Sequence, residues 1–299
     1  MPSLKDVKMK IVGVRKTKQI TKAMNMVASA KLRGAQARIE RFRPYAAKFQ
    51  DMLGDMAGKV EGDAHPLLSV HKEMQTCVIV LATSDRGLCG SFNSNLIAAA
   101  TRLAAEKTAQ GMQVKFICVG KKGRDAMRKT DYEILVSYGD KMSHLDYSLA
   151  NAVGVEVING YQSLGMDEVY LIYGEFVSMA KQAPVVQELL PVKTLPREEA
   201  EGGDTAEQDA GPQQQFLYEP KGEALLKELL PRYVKVQIYR GLLDTSASEH
   251  AARMAAMDNA TRNCDDMTRL LTLLFNKTRQ ASITSDLRDI VGGAEALNA

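Results

Sequence analysis

The chain has 299 residues, of which 45% are hydrophobic, 25% charged and 6% aromatic, with 15 Met and no Trp. That balance supplies enough apolar surface for a folded core and excludes a chain disordered throughout, and the shortage of aromatics favours slender helical packing. The net charge is only +3, and no run of 18 apolar residues offers a transmembrane helix or a signal-peptide core, so direct membrane insertion is not expected. The length fits two globular units, or one unit joined to something extended.

The N-terminal segment reads as the extended part. Leu4, Ile11, Leu32, Ile39, Ala46, Leu53 and Val60 form one seam, and Val7, Val14, Ala28, Ala35, Phe42, Phe49 and Met56 form the other. Steps of three and four sustained over that distance predict a helix that supercoils around a partner helix. Lys18, Thr21 and Asn25 interrupt the seam with polar side chains, which weakens packing but fixes register. Pro44 removes one backbone bond and is expected to kink the helix without ending it, because the heptad phase continues beyond it. At 1.5 Å per residue, such a helix is about 85 Å long, more than a compact domain can cover.

The middle of the chain has a different grammar. Residues 76–83 (TCVIVLAT), 114–119, 133–138 and 169–173 are short, apolar and rich in β-branched residues, and 185–192 offers an edge strand. Helical stretches over 95–110, 124–129 and 144–164 separate them. Alternating strands and helices predict an open, mostly parallel α/β sheet of Rossmann-like type, covered on both faces. The loop after the first strand, SDRGLCGSFN at 84–93, spaces its glycines as Gly87-x-x-Gly90 and has no Lys at the following helix start. It matches neither phosphate-loop pattern, so Asp85, Arg86 and Asn93 are read as turn and cap residues. GxSxG and HExxH are absent from the sequence, so no catalytic residues are assigned. Cys77, Cys89, Cys118 and Cys264 include no CxxC pair, and the four histidines are scattered. Reduced thiols, no metal and no cofactor are expected.

Residues 196–215 (PREEAEGGDTAEQDAGPQQQ) are acidic, Gly-rich and nearly free of apolar side chains, which predicts a mobile loop. Beyond them, residues 242–291 contain no Gly or Pro, and going back to Glu223 only Pro231 and Gly241 intervene. Met254, Met257, Thr261, Cys264, Thr268, Leu271 and Phe275 step by four and three, and Gly292 with Gly293 offers a helix stop. Each end is the only partner long enough for the other, so the two termini are expected to form a long antiparallel coiled coil. The expected organisation is an N-terminal coiled-coil helix over 1–62, an α/β domain over 74–195, the acidic loop over 196–215 and a C-terminal coiled-coil helix over 216–299.

Residues 1–43 carry twelve Lys or Arg against Asp6 and Glu40, a local charge of +10. Nucleic acid, anionic membrane and an acidic protein surface all suit such a helix. Between Leu4 and Glu40 there is no aromatic residue for base stacking, and the apolar stripe is committed to the coiled coil. An acidic protein partner fits best.

Five segments in this order carry a resemblance: TKQITKAMNMVASAKLR (17–33), SDRGLCGSFN (84–93), FLYEP (216–220), SEHAARMAAMDNAT (248–261) and NKTRQASITSDLRDIVGGAEA (276–296). Together they resemble the γ subunit of bacterial F-type ATP synthases, collinearly over almost the whole chain. The resemblance implies a non-catalytic central rotor shaft that couples ion-driven rotation of a membrane ring to conformational cycling of catalytic sites on β subunits. Its implied partners are three α and three β subunits, the ε subunit and the membrane c-ring, on the cytoplasmic face of the bacterial inner membrane. Nucleotides and Mg²⁺ belong to those neighbours. The matching motifs imply catalytic-ring contacts at Lys22, Met24, Arg253, Arg279, Gln280, Thr284 and Asp286, and membrane-ring contacts at Phe216, Leu217, Tyr218 and Glu219. Asp286 stands where the family usually has Glu, and the close cysteine pair of some photosynthetic members is missing. A coiled-coil adaptor with a degenerate α/β domain is the alternative role.

Overall fold

A computed structural model describes residues 3–57, 65–68, 75–163, 165–192 and 222–298. The acidic segment 196–215 and Phe216, Leu217, Tyr218 and Glu219 lie outside the described residues. The chain divides into two units, one made of residues up to Ala30 and from Arg253 onward, the other of Lys31–Ala252.

The first unit is a pair of helices. The helix α1 (Leu4–Ala57) contributes its N-terminal half and α5 (Gly222–Asn298) its C-terminal half. On α1 the expected seam is buried at Val7, Thr21 and Ala28, with Leu4, Ile11 and Val14 half-buried; on α5 Met257 and Cys264 are buried and Met254, Thr261, Thr268, Leu271 and Phe275 half-buried. Three polar contacts set the direction. Lys18 pairs with Asp265, the Thr21 and Thr261 hydroxyls lie 2.8 Å apart, and Asn25 Nδ2 donates to the Met254 carbonyl at 2.9 Å. Position numbers fall on α5 as they rise on α1, so the pair is antiparallel. The three interruptions of the α1 seam are therefore the residues that lock its register.

The second unit holds the sheet. Its strands are β1 (Thr76–Ala82), β2 (Gln113–Val119), β3 (Glu133–Tyr138), β4 (Glu168–Phe176) and β5 (Gln182–Leu190), in the order β3-β2-β1-β4-β5. All neighbours are parallel except β4 and β5. The helices α2 (Phe92–Ala109), α3 (Lys121–Met127) and α4 (Tyr147–Gln162) alternate with the strands. Cys77, Ile79 and Leu81 of β1 pack with Phe92, Leu96 and Ala100 of α2 and Met127 of α3 on one face. β1 has no exposed residue, which is why it reads as an unbroken apolar run instead of an alternating one.

Two features of this unit were hidden in the sequence. α5 runs a buried polar stretch, from Asp244 to Glu249, along the sheet. β1 stops pairing with β4 at Leu81 and Ile172, and beyond that point Gly174 N–H donates to Thr245 Oγ1 at 3.2 Å while Ser248 Oγ donates to the Gly174 carbonyl at 3.0 Å. The helix hydroxyls thus replace the missing strand. Aromatics, few as they are, collect where α1 crosses α5: Phe42 meets Tyr239 edge-on at 4.9 Å between ring centres, and Tyr147 meets the same ring at 5.6 Å.

Helix boundaries differ from expectation: α2, α3 and α4 begin at Phe92, Lys121 and Tyr147 instead of 95, 124 and 144, and the end of α5 lies further on. Gly292 and Gly293 do not stop α5, which continues to Asn298. Both glycines stand in open space, and the following Ala294, Glu295, Ala296 and Leu297 are strong helix formers that sustain the turn. Pro44 and Pro231 both lie inside continuous helices.

Gly120, at φ +98°, joins β2 to α3, and a Cβ there would sit 2.2 Å from the Thr83 carbonyl oxygen. Gly111 has φ +85° but open space around it. Gly120→Ala is therefore expected to lower stability by about 2–4 kcal/mol and Gly111→Ala by about 1 kcal/mol, read as shifts in urea midpoint. Burial pushes the Cys77 and Cys118 thiols up to about 12. At pH 8 neither should react with a thiol reagent in the native chain, and both should react once it is unfolded, as checked by labelling and peptide mass.

Candidate functional site

The β1–α2 loop is the first place to look for ligand chemistry, because it sits at the carboxyl end of the central strand of a parallel sheet. Its polar side chains are occupied with the fold. Asp85 Oδ1 accepts from the amides of Lys121 at 3.1 Å and Asp140 at 3.0 Å, and Oδ2 accepts from Met142 at 3.1 Å. One carboxylate thereby ties together the turns after β1, β2 and β3. Asn93 Oδ1 accepts from Ser84 N–H at 3.1 Å, and its Nδ2 donates to Ser84 Oγ at 2.8 Å. Asp85 and Asn93 thus hold the turns, as read from the sequence, but neither caps a helix: the N-cap of α2 is Ser91, whose side chain makes no capping bond there. Among the described residues, no group of three His, Cys, Asp or Glu side chains is placed to hold a metal ion.

The helix pair of the first unit offers a different kind of site. Its register places residues whose numbers sum to about 282 opposite one another, as in Thr21 with Thr261. Leu4 therefore stands near residue 278, and α5 beyond that point has no α1 residue beside it. Arg279, Gln280, Thr284 and Asp286 all lie on this unpaired stretch, and all four are exposed. Thr284 Oγ1 donates to the Gln280 carbonyl at 2.9 Å, so its hydroxyl is turned back onto the helix. Ile283, Leu287, Ile290 and Val291 share the exposed face with Arg279 and Gln280 and are 52%, 57%, 68% and 55% exposed. On the opposite side, Leu271, Phe275 and Thr278 are half-buried, as the seam requires.

An isolated exposed Leu is ordinary, but four large aliphatic side chains on one face beside an Arg and a Gln make a surface suited to another protein. The sequence reading found the polar members and missed the aliphatic ones. The signal was present, since Ile283, Leu287 and Ile290 follow a spacing of four and three that is out of phase with the seam. On α1, Lys22 is exposed and Met24 half-buried, and the basic face also carries exposed Met9, Ile20, Met26 and Val27. Arg253 differs from the other candidates in being only 9% exposed. No helix among the described residues is long and apolar enough to cross a membrane.

The arrangement is suited to binding and positioning a protein partner. The profile of the ATP synthase family matches residues 3–297. An ATP synthase gamma chain of Nitratidesulfovibrio vulgaris (strain DSM 19637 / Miyazaki F) is 68% identical over 297 residues, 99% of each chain. That of Lawsonia intracellularis is 56% identical over 297 residues, covering 99% of this chain and 100% of the relative. Among solved structures, a chain of the central stalk and c-ring of the Tetrahymena thermophila mitochondrial ATP synthase is 28% identical, with a TM-score of 0.58 over 81% of this chain and 99% of that one. A chain of the Euglena gracilis mitochondrial enzyme in rotational state 3 shares the fold at 20% identity and a TM-score of 0.65, over 98% and 94%. With the family profile matched from residue 3 to 297 and two-thirds identity along the full length of a relative, the chain belongs to the ATP synthase gamma-chain family.

Proposed function

We infer that the chain is the central shaft of an F-type ATP synthase, coupling rotation of a membrane ring to the cycling of catalytic sites carried by other subunits. The observation that carries this reading is the full-length family match together with an exposed mixed face on the unpaired end of α5. Its partners are three α and three β subunits, the ε subunit and the c-ring. It performs no chemistry itself; nucleotide and Mg²⁺ are held by its neighbours. The chain works on the cytoplasmic side of the bacterial inner membrane, held to it through the ring.

The mechanism follows from symmetry. A ring of three equivalent catalytic subunits around one asymmetric shaft is touched differently at each position. A contact that favours one subunit conformation shifts that subunit's equilibrium by the difference in contact energy between its states. Turning the shaft moves the favoured position around the ring, so the three sites pass through the same states in succession. Arg279 and Gln280, with Lys22, Met24, Arg253, Thr284 and Asp286, are the residues assigned to these contacts. The planar guanidinium of Arg279 suits a carboxylate on the facing subunit, and Gln280 can donate beside it. Asp286 reaches one methylene less far than the Glu usual in the family. The helical ends over 1–62 and 216–299 form the shaft, the α/β domain over 74–195 forms its base, and Phe216, Leu217, Tyr218 and Glu219 form the foot on the membrane ring.

Reconstitution with α and β subunits tests this. The isolated chain should show no ATPase activity, and the assembled complex should hydrolyse ATP with rotation of a bead fixed to the α/β domain. Arg279→Ala combined with Gln280→Ala should leave assembly intact and lower steady-state turnover about tenfold, the effect of losing one charge-assisted bond of about 1.5 kcal/mol. Unchanged turnover in a normally assembled double mutant overturns the assignment of this patch as a torque contact.

A further inference from the structure

A cavity of about 280 Å³ lies where α1, β4 and α5 meet in the second unit. Its walls are apolar at Ile39, Phe42, Ala46, Phe176 and Leu243, yet four charged side chains also line it: Arg43 of α1, Glu175 of β4, and Arg240 and Asp244 of α5. Arg43 and Arg240 are exposed and stand at the mouth. Asp244 is 6% exposed and lies at depth. Among the described residues, none of these four side chains makes a hydrogen bond or a direct ion pair, although the two guanidinium groups are near enough to act on Asp244 through space. Neutralising pairs normally close when opposite charges can reach each other in a partly dry site. Here the charges line an apolar space, and the carboxyl of Asp244, a residue only 6% exposed, opens onto it with no donor from the described residues.

That arrangement specifies a guest. The buried carboxyl needs a hydrogen-bond donor, the apolar walls need a flat or aliphatic body, and the guanidinium pair at the mouth needs an anion. We propose that this cavity binds a small amphipathic organic acid, with an apolar body carrying a hydroxyl for Asp244 at one end and a carboxylate for Arg43 and Arg240 at the other. The volume admits a body of about one aromatic ring, below the range of most drug-sized sites. This site is independent of the contacts assigned to the shaft's tip.

Protonation sharpens the expectation. The groups facing Asp244 are Arg240 on its own helix, Arg43 of α1, and Glu175 and Tyr173 of β4. Burial raises its carboxyl to about 6, against the opposing pull of Arg240 and Arg43. At pH 7.5 the four charged linings sum to zero and the carboxylate demands a donor. Below pH 6 the carboxyl is neutral, the lining becomes +1, and an acid without a hydroxyl binds better than it did at pH 7.5.

The test uses the full chain and three probes in titration calorimetry: 4-hydroxyphenylacetate, phenylacetate without the hydroxyl, and 4-methylphenol without the acid. At pH 7.5 the first should bind most tightly, and removal of either end should weaken binding about tenfold. Lowering the pH to 5 should narrow the gap between the first two. Arg43→Gln with Arg240→Gln, both at exposed positions and checked for an unchanged melting temperature, should bring 4-hydroxyphenylacetate down to the affinity of 4-methylphenol. Equal binding of the three probes, no detectable binding of any, or full affinity in the Arg double variant would each overturn the proposal.

Discussion

A helix of 54 residues exposes a continuous apolar stripe that no single compact domain can cover, and the fold is organised around that constraint. The stripe has to be met by another helix of comparable reach. The antiparallel seam of α1 and α5 meets it, and the polar contacts Lys18–Asp265, Thr21–Thr261 and Asn25–Met254 decide which residues face each other. An all-aliphatic seam would bury more apolar area but tolerate a slip of one heptad, since each heptad resembles the next. A hydrogen-bonded Thr pair or an Asn on a carbonyl does not tolerate it, because the slip leaves those groups unmet.

This division of labour explains what the sequence made legible. Periodicity reports which face of an element is covered, so the seam positions from Val7 to Leu53, the five strands and their alternation with helices could all be read directly. Periodicity is silent about what a polar residue touches. Nothing in the spacing around Asp85 says that it gathers three amides from the turns after β2 and β3, and nothing in TSAS (245–248) says that its hydroxyls finish the edge of a strand. The antiparallel direction of β5 was similarly undetermined, because an apolar run has the same pattern in either direction. Register was the costliest omission. Without it, Arg279 and Gln280 could be placed on one helix face, but not on a stretch lacking a partner.

The α/β unit illustrates how a fold built for ligands serves as a structural part. Its sheet has the order and connections that elsewhere open a crevice for phosphates at the end of the central strand. In this chain the corresponding loop is filled by its own carboxylate. Asp85 presents negative charge where a phosphate would come, and Leu88 there adopts φ +62° with its side chain exposed. Lys107 and Glu168, 2.5 Å apart and each about one-tenth exposed, brace α2 against β4 beneath. Burial alone would release the Lys107 proton more easily; the bonds to Glu168 and Tyr170 outweigh it and hold the ammonium charged. The pair fixes the end of α2 to the start of β4.

The ending of α1 before its partner has a mechanical meaning. Two helices packed side by side resist bending far better than one, since material displaced from the bending axis carries the load. From residue 279 onward α5 is single-stranded, a length of about 30 Å. A load applied along the first unit will therefore concentrate its curvature in that stretch, while the double-stranded section stays nearly straight. Within the first unit, that stretch is the part that yields first to a bending load.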